Sequence, residues 1–197
     1  MSARTVGLAL LLCLAACRDD SGPDPAGGSP AEWVFTDLDG MQRRPLDVTG
    51  AKANVLIFTT VDCPIANVYA PEITAIISDH IEDPLRFYLV HVDPDTSVAK
   101  AKEHAREYGL VGSLILDPEH KLVEETGATI TPEAVVITGD GKIAYRGRID
   151  NLYGGLGRKR LEATRHELRD VLQAVLEGCE VEIAGEEAIG CLIADFK

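Results

Sequence analysis

The chain of 197 residues is poor in positive charge: 19 Lys and Arg stand against 32 Asp and Glu, a net charge of −13. A phosphate backbone needs a basic face, so the balance argues against nucleic acid as a partner. Anionic lipid is not held by charge alone either. No run of about 18 apolar residues occurs, which excludes a spanning helix. Internal repeats are missing, as are the paired-histidine HExxH motif, a Ser/His/Asp order and a paired-carboxylate signature. Gly154-Gly155-x-Gly157 is followed by Arg158-Lys159-Arg160 rather than Gly-Lys-Ser/Thr and follows no parallel strand. It reads as a flexible loop, not a phosphate cradle. What is present, 46% hydrophobic and 26% charged residues, is the composition of a globular domain. The length suits one domain with a small appendage.

The first residues have a processing pattern. Arg4 gives a short positive start, and Val6 to Ala16 form a short apolar stretch. Leu14-Ala15-Ala16-Cys17 resembles the bacterial lipobox, in which the cysteine is diacylated and becomes the mature N-terminus. Residues 1–16 are therefore expected to be a lipoprotein signal peptide, with lipid on Cys17 anchoring the chain to a membrane on the extracytoplasmic side of a bacterial envelope. A plain secretory signal, with Cys17 an ordinary thiol, is the alternative. Residues 17–31, rich in Asp, Gly, Pro and Ser, read as a flexible tether. Export permits disulfides. Cys63, Cys179 and Cys191 then remain, an odd number, so one pair plus one free thiol, or an intermolecular bond, is expected.

Residues 32–177 read as an α/β domain and 178–197 as a cysteine-containing tail. Trp33 to Leu38 ends at the turn signal Asp39-Gly40. Asn54 to Thr60 and Phe87 to Val92 are continuous apolar runs, as in strands buried on both faces. Ile65, Val68, Tyr69, Ile73, Ile76 and Ile77 fall on one helical face between them. The pattern predicts a helix over Ser97 to Tyr108 with Gly109 as its C-cap, a strand at Leu114 to Leu116 and a brief helix around Lys121 to Thr126. A hairpin joins Ala134–Ile137 to Lys142–Tyr145 across Gly139-Asp140-Gly141, and an amphipathic helix spans Leu161 to Leu176. This alternation implies a parallel core sheet with helices on both faces, made mixed by the closing hairpin.

Sites in open α/β sheets form at the carboxyl ends of strands. The first central strand ends in Thr60-Val61-Asp62-Cys63-Pro64. Pro64 suits the first helical position, which makes Cys63 the N-cap or close to it. A thiolate there faces unpaired N–H groups and the positive end of the helix dipole. Cys63 is thus the candidate nucleophile. Of the five histidines, His91 ends the second buried strand on the same rim, while His80, His104, His120 and His166 read as surface residues.

Strand–Cys63–Pro64–helix, then Thr131-Pro132-Glu133 leading a strand, then Gly139-Asp140-Gly141-Lys142 and Tyr145-Arg146-Gly147-Arg148, resembles the thioredoxin-like redoxins, including peroxiredoxins of the alkyl hydroperoxide reductase/thiol-specific antioxidant type. The resemblance covers about Glu32 to Glu177. It implies a thioredoxin-like fold and a cis Pro132 beside the reactive cysteine. That turn would leave backbone near Thr131 free to pair with an extended substrate chain. Pro71 matches a proline that kinks the following helix. The spacing Thr60-x-x-Cys63 resembles peroxiredoxins, where the threonine orients peroxide; the proline expected before it is Leu56. Ala66 stands where a thioredoxin dithiol has its second cysteine. The arginine that peroxiredoxins place near the thiolate corresponds to Arg146 or Arg148, which strand alternation puts on one face.

The tail is too apolar around Ala188-Ile189-Gly190-Cys191-Leu192-Ile193 to be left in solvent, so it is expected to pack on the domain. Cys191 is the expected resolving partner of Cys63, through a reversible disulfide. A structural Cys179–Cys191 clip is the rival. The expected function is thiol-based redox chemistry on protein thiols or disulfides or on peroxide, with Cys63, Cys191, Thr60, Pro132 and Arg148 as its residues and no bound cofactor. The alternatives are a Cu(I) metallochaperone, using Cys63 and Cys191 with His91 as a further ligand, and a non-catalytic binding module.

Overall fold

The computed structural model describes residues 29–181 and 185–194. The expected signal peptide, Cys17 and most of the tether lie outside the described residues. Pro30–Glu32 forms a single 3-10 turn. The N-terminal hairpin pairs β1 (Phe35–Thr36) with β2 (Gln42–Arg43). Its turn is organised by Asp37, whose Oδ1 accepts from the Asp39 and Met41 N–H groups at 3.0 and 2.8 Å. Gly40 takes the left-handed conformation this turn requires.

The remaining elements alternate as the sequence predicts. They are β3 (Ala53–Thr59), α1 (Pro64–Asp79), β4 (Leu85–His91), α2 (Val98–Tyr108), β5 (Ser113–Leu116), α3 (Lys121–Thr126), β6 (Ile130–Thr131), β7 (Glu133–Thr138), β8 (Ile143–Gly147), α4 (Glu167–Glu177) and β9 (Cys191–Leu192). The central sheet has the order β5-β4-β3-β7-β8. β3, β4 and β5 run parallel, and β7 and β8 are antiparallel to their neighbours. Every residue of β3 is buried, which is why its apolar run shows no alternation. Val55 and Ile57 face a core built with α1, α2 and α4; Leu56 and Phe58 face one built with α3 and the N-terminal segment. Helices on both faces of a mixed five-stranded sheet make this an α/β fold of the kind the resemblance implies. Among the described residues, no helix is long and apolar enough to cross a membrane.

Two expectations need correction. The last helix begins at Glu167, not Leu161, and Leu161 is fully exposed at 105%. The backbone before it is drawn elsewhere: Asn151 Oδ1 accepts from the Thr164 and Arg165 N–H groups at 2.8 and 3.1 Å. Leu161 and Leu168 share helical spacing by coincidence. His104, expected at the surface, is buried with its ring edge-on to His91, and its Nε2 lies 2.8 Å from Asn67 Oδ1.

Candidate active site

Cys63 stands where β3 hands over to α1. It is the N-cap of α1, with Pro64 in the first turn, and its Sγ accepts from the Ala66 N–H at 3.4 Å. As a thiol it donates to the Thr131 carbonyl at 3.1 Å. The Thr131–Pro132 peptide is cis, and the carbonyl that precedes Pro132 is the one Cys63 donates to. Pro71 lies inside α1. The cysteine is 0% exposed, because the tail covers it.

That cover is β9. It pairs antiparallel with β6, Thr131 opposite Cys191 and Ile130 opposite Leu192. The backbone beside Pro132, expected to be free for a substrate chain, is therefore occupied by the protein's own C-terminal strand. The close approach needs Gly190, since a Cβ there would overlap the Thr131 carbonyl oxygen. Gly185 meets the Arg146 carbonyl in the same way. Farther out, the Arg148 N–H donates to the Glu186 carbonyl at 3.1 Å and the Ile193 N–H to the Thr129 carbonyl at 2.9 Å.

The strand delivers the Cys191 thiol to Cys63. Burial pushes the Cys63 thiol up, but hydrogen bonds from the Cys191 thiol, the Ala66 N–H and Thr131 outweigh it and hold Cys63 below the ordinary thiol range. Cys191 is raised to about 11 by its own burial and by the charge and hydrogen bond of Cys63. Of the pair, Cys63 is thus the readier to ionise and Cys191 the readier to keep its proton. The helix N-terminus alone does not account for the shift. Of the effects favouring the charged form, the Cys191 hydrogen bond is the largest, and strand–Cys–Pro spacing gives no signal of it.

The other expected residues fall differently. Thr60 lines a cleft of about 150 Å³ with Thr131, Asp93, His120 and Leu192. Arg148 does not bear on the sulfur. Its guanidinium binds Glu167 at 2.5 Å and Glu186 at 2.8 Å, so it pins the tail to α4. Arg146 donates to the Gly127 carbonyl at 2.9 Å at the end of α3. The two arginines thus reach opposite faces of the sheet. β8 ends at Gly147, and alternation stops with the strand. Cys179 is exposed and lies beside the Thr138–Lys142 hairpin, at the other end of β7 from Pro132. Among the described residues, all three cysteines are free thiols. His91 is buried at the end of β4, but its ring nitrogens do not converge with Cys63 and Cys191 into a three-ligand cluster. The tail contacts of Arg148, Gly185, Glu186 and Gly190 were not identified from sequence, because each depends on where the last residues fold back.

A family model described as Redoxin matches residues 26–158. No curated protein matches the chain. Among solved structures, an uncharacterized conserved protein from Geobacillus kaustophilus is 25% identical, with 83% of this chain and 88% of that one covered and a TM-score of 0.74. A hypothetical protein from Sinorhizobium meliloti is 20% identical over 87% and 95%, with a TM-score of 0.72. A secreted Mycobacterium tuberculosis disulfide oxidoreductase homologous to E. coli DsbE is 17% identical over 76% and 97%, with a TM-score of 0.54. The last two likenesses concern the fold.

Proposed function

The chain belongs to the Redoxin family, and from that premise we propose that it is an extracytoplasmic thiol–disulfide oxidoreductase whose redox couple is Cys63 and Cys191. One observation carries the reading: the tail brings a second thiol, on an extended strand, opposite Thr131, whose carbonyl accepts from the buried Cys63 thiol at 3.1 Å. Because Cys63 is covered, β9 lifts to admit substrate. The Cys63 thiolate attacks one sulfur of a protein disulfide, forming a mixed disulfide and releasing one substrate thiolate. Cys191 returns, gives its proton to that thiolate and attacks the Cys63 sulfur. The second substrate thiolate then leaves. One substrate disulfide becomes two thiols while two thiols of the chain become one disulfide, and the reverse sequence oxidises a substrate dithiol. Pro132 and Thr131 shape the groove, and Arg148 positions the tail rather than the reacting sulfur.

Peroxide is the second reading, favoured by the cleft that Thr60 lines beside Thr131. There the Cys63 thiolate takes one peroxide oxygen, the alcohol or water leaves, and Cys191 condenses with the sulfenic acid to give the same disulfide and water. Lipid on Cys17 belongs to the proposal too, supported by Leu14-Ala15-Ala16-Cys17; palmitate labelling lost in Cys17→Ser would test it. The function is tested by mixing the reduced chain with a protein disulfide or with hydrogen peroxide at equal concentrations. Faster loss of both thiols with the disulfide, abolished by Cys63→Ser, supports exchange. Faster loss with peroxide selects the second reading. Inertness to both leaves a binding module.

A further inference from the structure

Away from the thiols, three segments distant in sequence bring metal-ligating side chains together. Glu72 lies on α1, Asp150 follows β8, and His166 immediately precedes α4. One ligand atom from each lies within 4.8 Å of the other two. We propose that they form a site for a divalent transition-metal ion of the Zn2+ class.

The argument begins with Asp150, which is 4% exposed. Its Oδ1 accepts from the Tyr69 hydroxyl at 2.7 Å and the Leu152 N–H at 2.8 Å. Both donors use the same oxygen, and Oδ2 has no partner among the described residues. That leaves Oδ2 open to ligate a cation. Burial and the Asp150 carboxylate keep Tyr69 protonated, so it stays a donor. Glu72 repeats the arrangement: Oε1 accepts from Arg169 Nε at 2.7 Å, and Oε2 has no partner among the described residues. The His166 ring caps nothing and hydrogen-bonds to nothing among the described residues.

The scaffold is fixed. Asn151 bonds to both Thr164 and Arg165, which clamps the loop of Asp150 to the segment carrying His166. Arg169 also binds Asp79, so one guanidinium is shared between Glu72 and Asp79 and does not neutralise both carboxylates. The neighbouring arginines Arg148 and Arg165 are matched by Glu167 and Glu186.

One imidazole with two carboxylates is a borderline donor set. It suits Zn2+ or Mn2+ better than Ca2+, which takes six or more oxygens. Metal–ligand bonds near 2.1 Å place tetrahedral ligand atoms about 3.4 Å apart. The cluster must therefore tighten, and His166 and Glu72, neither of them buried, have the freedom to do so. The ion would tie α1 to the β8–α4 connection, with water in its open positions.

The test is titration of the reduced chain with Co2+, followed by visible absorption, and with Zn2+, followed by calorimetry. His166→Gln and Glu72→Gln are run alongside, since neither side chain is buried. The expected result is one ion per chain, a Co2+ spectrum without thiolate charge transfer, and affinity at least tenfold lower in both variants. No saturable uptake, uptake through thiolate alone, or unchanged affinity in either variant overturns the site.

Discussion

At Cys63 the decisive partners are a thiol 128 positions away in sequence and one backbone N–H. Removing the thiol in Cys191→Ala takes away the largest effect favouring the thiolate, so the Cys63 titration, read by thiolate absorbance, should move up toward an ordinary thiol near pH 8.5. In the unaltered chain the folded value is depressed. Alkylation of Cys63, whenever the tail opens, should therefore persist below that pH and fail only as acid protonates the sulfur. Cys191 should stay protonated until about pH 11. Gly190→Ala forces a Cβ onto the Thr131 carbonyl. Overpacking of this kind costs about 1–3 kcal/mol, and the displaced strand should speed Cys63 alkylation, measurable by timed labelling. The N-cap position of Cys63 was legible because strand, cysteine and proline are consecutive and the N-cap is a local structure. The role of Arg148 was not, since its partners Glu167 and Glu186 lie in segments whose placement the motif does not encode.

Among the elements, β3, β4 and α1 were legible from their apolar runs and periodicity. β6 and β9 were not: two-residue strands carry no period, and they exist because they pair with each other. The start of α4 was misplaced because Asn151 claims the N–H groups that a longer helix would have used. The tail is held by ion pairs as well as by strand pairing. Glu186 binds Arg148 at 2.8 Å and Arg165 at 2.6 Å. Glu186→Gln should weaken the latch without leaving a buried charge, and labelling of Cys63 should quicken several-fold with little loss of stability. Arg148→Ala is expected to behave differently. It strips a partner from Glu167, whose side chain is 2% exposed, and should cost about 3 kcal/mol in denaturant unfolding, moderated by Arg165, which also contacts Glu167 at 3.1 Å.

For the whole molecule, the fold joins a local feature to a remote one: the helix N-cap carries Cys63, and β9 carries Cys191, the two thiols of the proposed couple. A bond between Cys63 and Cys191 closes nearly the whole domain into one loop. Loops of about 100 residues or more confer roughly 4–5 kcal/mol by chain entropy. The oxidised chain should therefore unfold at higher denaturant concentration than the reduced chain, whereas a short Cys179–Cys191 loop would give a smaller gain. The α/β class was legible in the order of elements, and the docking of the tail in its apolar composition. Which backbone the tail pairs with was not legible, because that is set by the groove beside Pro132. The most direct measurement is non-reducing peptide mapping of the chain after mild oxidation. The account predicts a peptide pair joining Cys63 to Cys191 with Cys179 free; a Cys179–Cys191 pair, with Cys63 left as a thiol, would contradict it.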